Sequence, residues 1–331
     1  MADDKGVLIC GEVVGGRITT ITMELLNTGR RLCDDLKQPL SILLIGQDIN
    51  AKEAILLGAD KVYTVEGAPF AESHPEHYVA IITKACQQIA PSIILFSQTD
   101  MGRDVAPRLA ARLGTTVCMD CVELAIDPET KQLLQTKPVY GGNAMAVWVS
   151  EDRQPQVVTI RPRVVAPAEP DTSRRGEITP ITIDVDDSKI KGKLLETVKE
   201  EIKGIKLEEA EAIVAGGGGI GGKEGFKLLE ELAKVLRGTI GVSRVPCDEG
   251  WMPVSIEIGQ TAHMVSPKLY IAVGISGALQ HLAGCSGSKY IVAINKDSNA
   301  HIFKEADFGV VGDYREVLPP LIEKCKALMA T

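Results

Sequence analysis

Short β-branched runs alternate with amphipathic stretches along the first half of the chain. Strands are predicted at Val7–Cys10, Ser41–Ile45, Lys61–Val65, Ser92–Phe96 and Val157–Ile160, with helical spacing at Thr19–Leu36 and Tyr78–Ala90. Strand–helix alternation at this spacing indicates βαβ units and a mostly parallel sheet. Ser92–Phe96 runs into Ser97-Gln-Thr-Asp-Met-Gly-Arg103, then a helix with Val105, Leu109 and Leu113 on one stripe. Pro107 fits only near that helix's start.

Near residue 161 the pattern breaks. Arg161–Pro170 holds three prolines in ten residues and Asp171–Gly176 is wholly polar, which reads as extended, exposed chain. Ile178–Ile183 adds a strand, and Leu194–Lys206 is charged and helical. A boundary near Lys206 divides residues 1–206 from 207–331. The second part begins with a strand at Glu211–Ala215, a glycine turn at Gly216–Gly222 and a helix at Lys223–Leu236 with Phe226, Leu229, Ala233 and Leu236 on one face. Strands follow at Thr239–Val242, Leu269–Gly274, Lys289–Ile294 and Phe308–Val311, and a helix at Arg315–Met329 closes the pattern. The expectation is α/β throughout: a mostly parallel N-terminal domain and a C-terminal doubly wound, Rossmann-like domain.

Composition narrows the function classes. With 36 basic against 44 acidic residues and no Lys/Arg-rich run, the chain lacks an electrostatic footprint for nucleic acid or an anionic membrane. No apolar stretch reaches the ~18 residues of a membrane span, and the acidic start is unlike a signal peptide. A cytoplasmic location is expected. Eight cysteines are scattered singly except for Cys118 and Cys121. Without a second pair this CxxC makes no zinc site, and free thiols in a reducing compartment are the reading. His74 and His77 flank Pro75 and read as a surface loop rather than a metal site.

The chemistry concentrates after residue 210. Gly216-Gly-Gly-Gly-Ile-Gly-Gly222 joins a strand to a helix, where glycine lets backbone N–H groups converge beside a positive helix N-terminus. That makes a phosphate cradle of Gly217, Gly218 and Gly219, and no GK[ST] follows to make it a Walker A loop. Gly241-Val-Ser-Arg244 puts Ser243 and Arg244 at the carboxyl edge of the sheet, where α/β ligands bind. A second turn, Ser276-Gly277-Ala, opens a helix bearing Gln280 and His281, so two anion sites share one edge. Asn295 and Asp313 end later strands and suit the hydroxyls of an adenosine moiety.

In order and spacing, Gly241–Arg244, Gly259–Thr261, Leu269–Gly284, Ile291–Asp297 and Ala306–Asp313 resemble the C-terminal domain of electron-transfer flavoprotein α subunits. Gly102–Leu113 carries the resemblance into the N-terminal half. It implies one FAD in residues 207–331 and a β subunit packed with residues 1–206. It also implies electron transfer between flavin dehydrogenases, such as the acyl-CoA dehydrogenases of fatty acid oxidation, and a membrane quinone oxidoreductase or other acceptor. Electron bifurcation stays open.

Carried over residue by residue, Arg244 would lie against the isoalloxazine, Thr261 at its N5 edge, Gln260 on its polar side and His281 at the C2 carbonyl. Ser243, Ser276, Gly277, Gln280 and the glycine turn would meet the ribityl chain and phosphates, and Asn295 and Asp313 the adenosine. Two departures stand out. Relatives read GGRG where this chain has Gly218, with Lys223 a substitute cation, and Gly-Lys where it has Ala262-His263. The rival reading is an NAD-dependent enzyme on the same fold. It would need an acid–base or nucleophile pair, and none stands out beyond His281.

Overall fold

A computed structural model describes residues 6–67, 75–140, 144–150, 154–185, 188, 190–192, 205–207 and 210–329. The chain forms two compact units, Met1–Thr197 and Val198–Thr331.

In the first unit the order is β1 (Val7–Gly11), β2 (Val13–Val14), β3 (Arg17–Ile18), α1 (Thr20–Leu36), β4 (Leu40–Gly46), α2 (Ala51–Leu56), β5 (Lys61–Glu66) and α3 (Pro75–Ile89). Then come β6 (Ile93–Ser97), α4 (Asp100–Leu113), β7 (Val117–Cys121), β8 (Glu123–Ile126), β9 (Leu133–Val139), β10 (Ala144–Trp148), β11 (Gln156–Ile160) and β12 (Glu177–Pro180). Seven strands make a parallel sheet in the order β12-β5-β4-β1-β6-β11-β7. Val7 and Ile9 face a core shared with α1 and α2, while Leu8 and Cys10 face another shared with α3 and α4. This is the doubly wound sandwich that the period-2 apolar runs require.

Helix starts follow local chemistry. Thr19 and Thr99 cap α1 and α4 by accepting from Thr22 N–H and Gly102 N–H, each at 3.2 Å. Pro107 departs from expectation: it lies in the interior of α4, not at its start. An interior proline costs about 3 kcal/mol, but α4 buries Val105, Ala106, Leu109 and Ala110. Large apolar side chains contribute about 1.5–3 kcal/mol each, so packing outweighs the lost bond. Pro75 is the first residue of α3, so His77 sits in a helix's first turn rather than a loop, while His74 lies outside the described residues. The predicted helix at Leu194–Lys206 also lies outside them, except for its last two residues, which are not helical.

Edge strand β7 and the antiparallel β10-β9-β8 sheet were not predicted. β7 reads Val-Cys-Met-Asp-Cys, β9 contains Lys137 and Pro138, and neither alternates cleanly.

The second unit runs β13 (Ala212–Gly216), α5 (Phe226–Val235), β14 (Thr239–Val242), α6 (Arg244–Asp248), β15 (Leu269–Val273), α7 (Leu279–Cys285), β16 (Tyr290–Asn295), α8 (Ile302–Glu305), β17 (Phe308–Val311) and α9 (Tyr314–Met329). Its five strands are parallel in the order β14-β13-β15-β16-β17. Ile213, Ala215, Tyr270 and Ala272 face α7 and α8, while Val214, Ile271 and Val273 face α5 and α9.

Candidate functional site

From β13 the chain goes first to β14 on one side, then crosses to β15 on the other. The loops leaving β13 and β15 therefore part at a topological switch point, where open α/β sheets form a crevice. Here the two loops interlock by backbone. Gly217 N–H donates to the Val273 carbonyl and Gly219 N–H to the Gly274 carbonyl, both at 2.9 Å. A Cβ on Gly217 would stand 2.4 Å from the Gly274 oxygen, and one on Gly219 would stand 2.8 Å from Gly274 Cα. No side chain fits such an approach.

The reason for these glycines therefore differs from expectation. The first turn is only partly a cradle: the amides of Gly217, Gly219, Ile220 and Gly221 bond to β15 and its loop or close the turn at Gly218–Ile220, while that of Gly218 reaches no protein acceptor among the described residues. Lys223 is exposed, on a further short turn ahead of α5.

A longer run of unpartnered donors lies in the second loop. Among the described residues, the amides of Gly277, Ala278, Leu279 and Gln280 reach no protein acceptor. They occupy the start of α7, which begins at Leu279 and not at Ser276 because Gly277 is left-handed, φ +86°. A Cβ there would lie 2.3 Å from Ile302 N, whose N–H donates to the Ser276 carbonyl at 3.0 Å. Unpartnered amides at a helix start favour an anion. This donor set fits a pyrophosphate-bearing ligand.

The remaining elements converge by main-chain bonds. Ser243 N–H donates to the Gly216 carbonyl at 3.0 Å, Ile258 N–H to Val242 at 2.8 Å, and Gln260 N–H to Gln280 at 2.7 Å. Ser243 and Arg244 thus adjoin the glycine turn, while Gln260 and Thr261 adjoin Gln280. Arg244 opens α6 with its side chain 78% exposed, Nε 3.1 Å from the Asp248 carboxylate. An exposed ion pair of this kind is weak and leaves the guanidinium able to change partner. Thr261, Ser276 and Gln280 are also exposed, and His263 is half-buried.

His281, expected at a flavin carbonyl, is held within the protein by both ring nitrogens. Its ring is buried, with Nδ1–H donating to the Ile258 carbonyl and Nε2 accepting from the Tyr270 hydroxyl, both at 2.9 Å. Burial pushes its pKa down to about 4, so the ring is neutral near pH 7. Both nitrogens are engaged, and the ring anchors the loop that carries Gln260 and Thr261.

At the other end a cleft of ≈ 130 Å³ is lined by Gly219, Ile220, Gly221, Gly274, Ile294, Asn295, Lys296, Gly312, Asp313, Tyr314 and Arg315. The structure brings Asn295 and Asp313 together with the glycine turn. Asn295 Nδ2 donates to the Ile275 carbonyl at 2.9 Å. Asp313 Oδ1 caps α9 by accepting from Arg315 N–H at 2.9 Å, leaving Oδ2 without a protein partner among the described residues. Tyr314 ties α9 to the turn by donating to the Ile220 carbonyl at 3.0 Å. Sequence reasoning missed Lys296, Tyr314 and Arg315. Each lies within two residues of a predicted contact, and the two cations were the readable signal.

Comparison with known proteins identifies the family. The family model described as the electron transfer flavoprotein domain matches residues 7–186, and that of the electron transfer flavoprotein FAD-binding domain matches residues 206–286. An electron transfer flavoprotein subunit alpha from Thermoanaerobacterium thermosaccharolyticum is 44% identical, covering 99% of this chain and 100% of its own. Protein FixB of Clostridium saccharobutylicum is 38% identical over 100% and 99%. The LctC subunit of a lactate dehydrogenase (NAD(+),ferredoxin) from Acetobacterium woodii is 35% identical over 96% and 76%. Matched from end to end at such identities, the chain belongs to the electron transfer flavoprotein family and is an FAD-binding electron carrier.

Proposed function

We propose that FAD lies along the carboxyl edge of the C-terminal sheet and that the chain works as the α subunit of a heterodimer. It passes electrons between flavin dehydrogenases, such as acyl-CoA dehydrogenases, and a membrane quinone oxidoreductase or other acceptor. The observation that carries the site is the run of unpartnered amides from Gly277 to Gln280 beside the interlocked glycine turn. FAD supplies the reversible acceptance and release of electrons.

The protein holds and biases it. The Gly277–Gln280 amides, with Ser276 and Gln280, take the pyrophosphate and ribityl oxygens. Asn295, Asp313 and the cations Lys296 and Arg315 take the adenosine and its phosphate in the cleft. Arg244 sets a cation at the ring, with Gln260 and Thr261 on its polar edge and His281 positioning their loop. Among the described residues no nucleophile–base pair converges on the cleft, which favours a carrier over an NAD-dependent enzyme.

Residues 1–206 serve as the scaffold for the β subunit, and 207–331 hold the flavin. Edge strand β10 supports the partner, since Met145, Val147 and Trp148 are 61%, 58% and 55% exposed along five residues. A flat apolar edge of this kind favours a covering chain.

The test is co-expression with the β subunit, followed by gel filtration and extraction of bound nucleotides. A heterodimer that holds FAD and takes up electrons from a flavin dehydrogenase is expected. A flavin-free monomer that turns over a substrate with NAD would overturn the reading. Because LctC belongs to an enzyme named for both NAD(+) and ferredoxin, the FAD-to-AMP ratio also separates a bifurcating complex from a simple one.

A further inference from the structure

Cysteines three apart in a regular strand point to opposite faces with Cα atoms about 10 Å apart. Cys118 and Cys121 break this rule, with their sulfurs 3.5 Å apart. The cause is a bulge. Pairing between β7 and β11 shifts register between Val158 and Ile160, and Asp120 takes a left-handed conformation, φ +63°. Such a backbone is unfavourable for a residue other than glycine and needs support. Asp120 has it: its carboxylate accepts from Arg161 Nε at 3.0 Å and Nη2 at 2.8 Å, and its N–H donates to Thr159 Oγ1 at 2.8 Å. Arg161 N–H also donates to the Cys121 carbonyl at 2.8 Å. The kink that brings the sulfurs together is thus held from three sides on an edge strand.

The two thiols are unequal. Cys118 is half-buried and Cys121 fully buried. The Cys121 thiol donates toward Cys118, and that hydrogen bond, helped by the charge of Lys137 on β9, lowers the Cys118 pKa against the effect of burial. The Cys121 pKa is raised, first because its proton serves that bond and then by burial. One sulfur is therefore set to attack and the other to resolve.

We propose that Cys118 and Cys121 form a redox-active dithiol that a small-molecule disulfide converts reversibly to an intramolecular disulfide. The Cys118 thiolate attacks one sulfur of the oxidant, forming a mixed disulfide and releasing one thiolate. Cys121 then gives up its proton, its sulfur attacks Cys118 Sγ, and the second thiolate leaves. Two protein thiols are oxidised, one disulfide is reduced to two thiols, and the two protein protons end on the released thiols. The sulfurs close from 3.5 Å to about 2.0 Å, a shift within the compass of side-chain rotation.

The experiment uses the full-length protein with its FAD, incubated with glutathione disulfide near pH 7 and mapped without reduction. A linked Cys118–Cys121 peptide lighter by the mass of two hydrogens is expected, reversed by dithiothreitol. Under limiting iodoacetamide, Cys118 should be alkylated many-fold faster than Cys247, whose thiol burial pushes up to about 11. This contrast weighs thiolate fraction against the lower nucleophilicity of the more acidic thiol. Cys121→Ser should trap a stable glutathione adduct on Cys118, and Cys118→Ser should abolish both products. Equal alkylation of Cys118 and Cys247 in the unmodified protein would overturn the proposal, with no variant needed. So would glutathione on Cys247 or Cys325 without a Cys118–Cys121 link, since the oxidant would then have had access and failed.

Discussion

Gly217→Ala tests the interlocked loops directly. The backbone of Gly217 has φ −112°, open to any residue, so the substitution adds no conformational strain and isolates the effect of one methyl. That methyl would meet the Gly274 oxygen at 2.4 Å and Ile275 Cα at 2.8 Å, both backbone atoms. The loops must separate, stretching the 2.9 Å bonds that join them. Overpacking of this kind costs about 1–3 kcal/mol. If the whole displacement is felt where the second loop presents its amides, FAD affinity falls roughly 5- to 150-fold. Two neighbours calibrate the effect. Gly218→Ala meets only the side chain of Val245, at 3.0 Å, and should be milder. Gly221→Ala meets nothing within 4 Å but requires φ +78°, which costs about 1 kcal/mol. Its main effect should be on stability. Flavin fluorescence titration gives affinity, and thermal melting of the flavin-free protein gives stability. Parental FAD affinity in Gly217→Ala, with a large loss in Gly218→Ala, would refute the account of which backbone contacts hold the site.

Further outcomes follow from other residues. Arg244→Ala should lower the flavin reduction potential with less effect on FAD retention, and Arg244→Lys should recover only part, since a point charge does not reproduce a planar guanidinium; a reductive titration with a reference dye reads both. His281 has a folded pKa lowered to about 4 from an ordinary 6.5, so the unfolded chain takes the proton first as pH falls. Its contribution to stability, about 3 kcal/mol from the shift, should be complete above pH 6.5 and lost between 6.5 and 4; urea denaturation across that range should show the slope, and His281→Asn should flatten it. Trp148→Ser together with Met145→Ser should weaken assembly with the β subunit while leaving FAD content unchanged, read by gel filtration and absorbance.

Much of this was legible in the sequence because apolar period and glycine position are strong local signals. Strands at Thr239–Val242 and Phe308–Val311 were placed to the residue. Gly217, Ser276, Asn295 and Asp313 were brought to one sheet edge by topology alone. What was hidden depended on partners distant in sequence. Nothing local in the sequence showed that Tyr270 and Ile258 engage both nitrogens of His281. The glycine turn looked like a complete amide cradle until β15 and its loop were seen to use the Gly217 and Gly219 donors. The CxxC looked inert because only the register shift against β11 brings its sulfurs together, and Pro107 misled because helix burial outweighed a local rule.

The interlocked loops also separate two tasks that a single side-chain constellation would confound. Their contacts are backbone to backbone, and the donors they present are main-chain amides, which only a change to proline removes. On the proposed arrangement, the exposed side chains of Arg244, Gln260 and Thr261 at the ring can then vary with little effect on retention. On that arrangement retention at the pyrophosphate rests mainly on main-chain groups, while the potential at which the cofactor works becomes an adjustable trait of its rim, open to gradual change under selection.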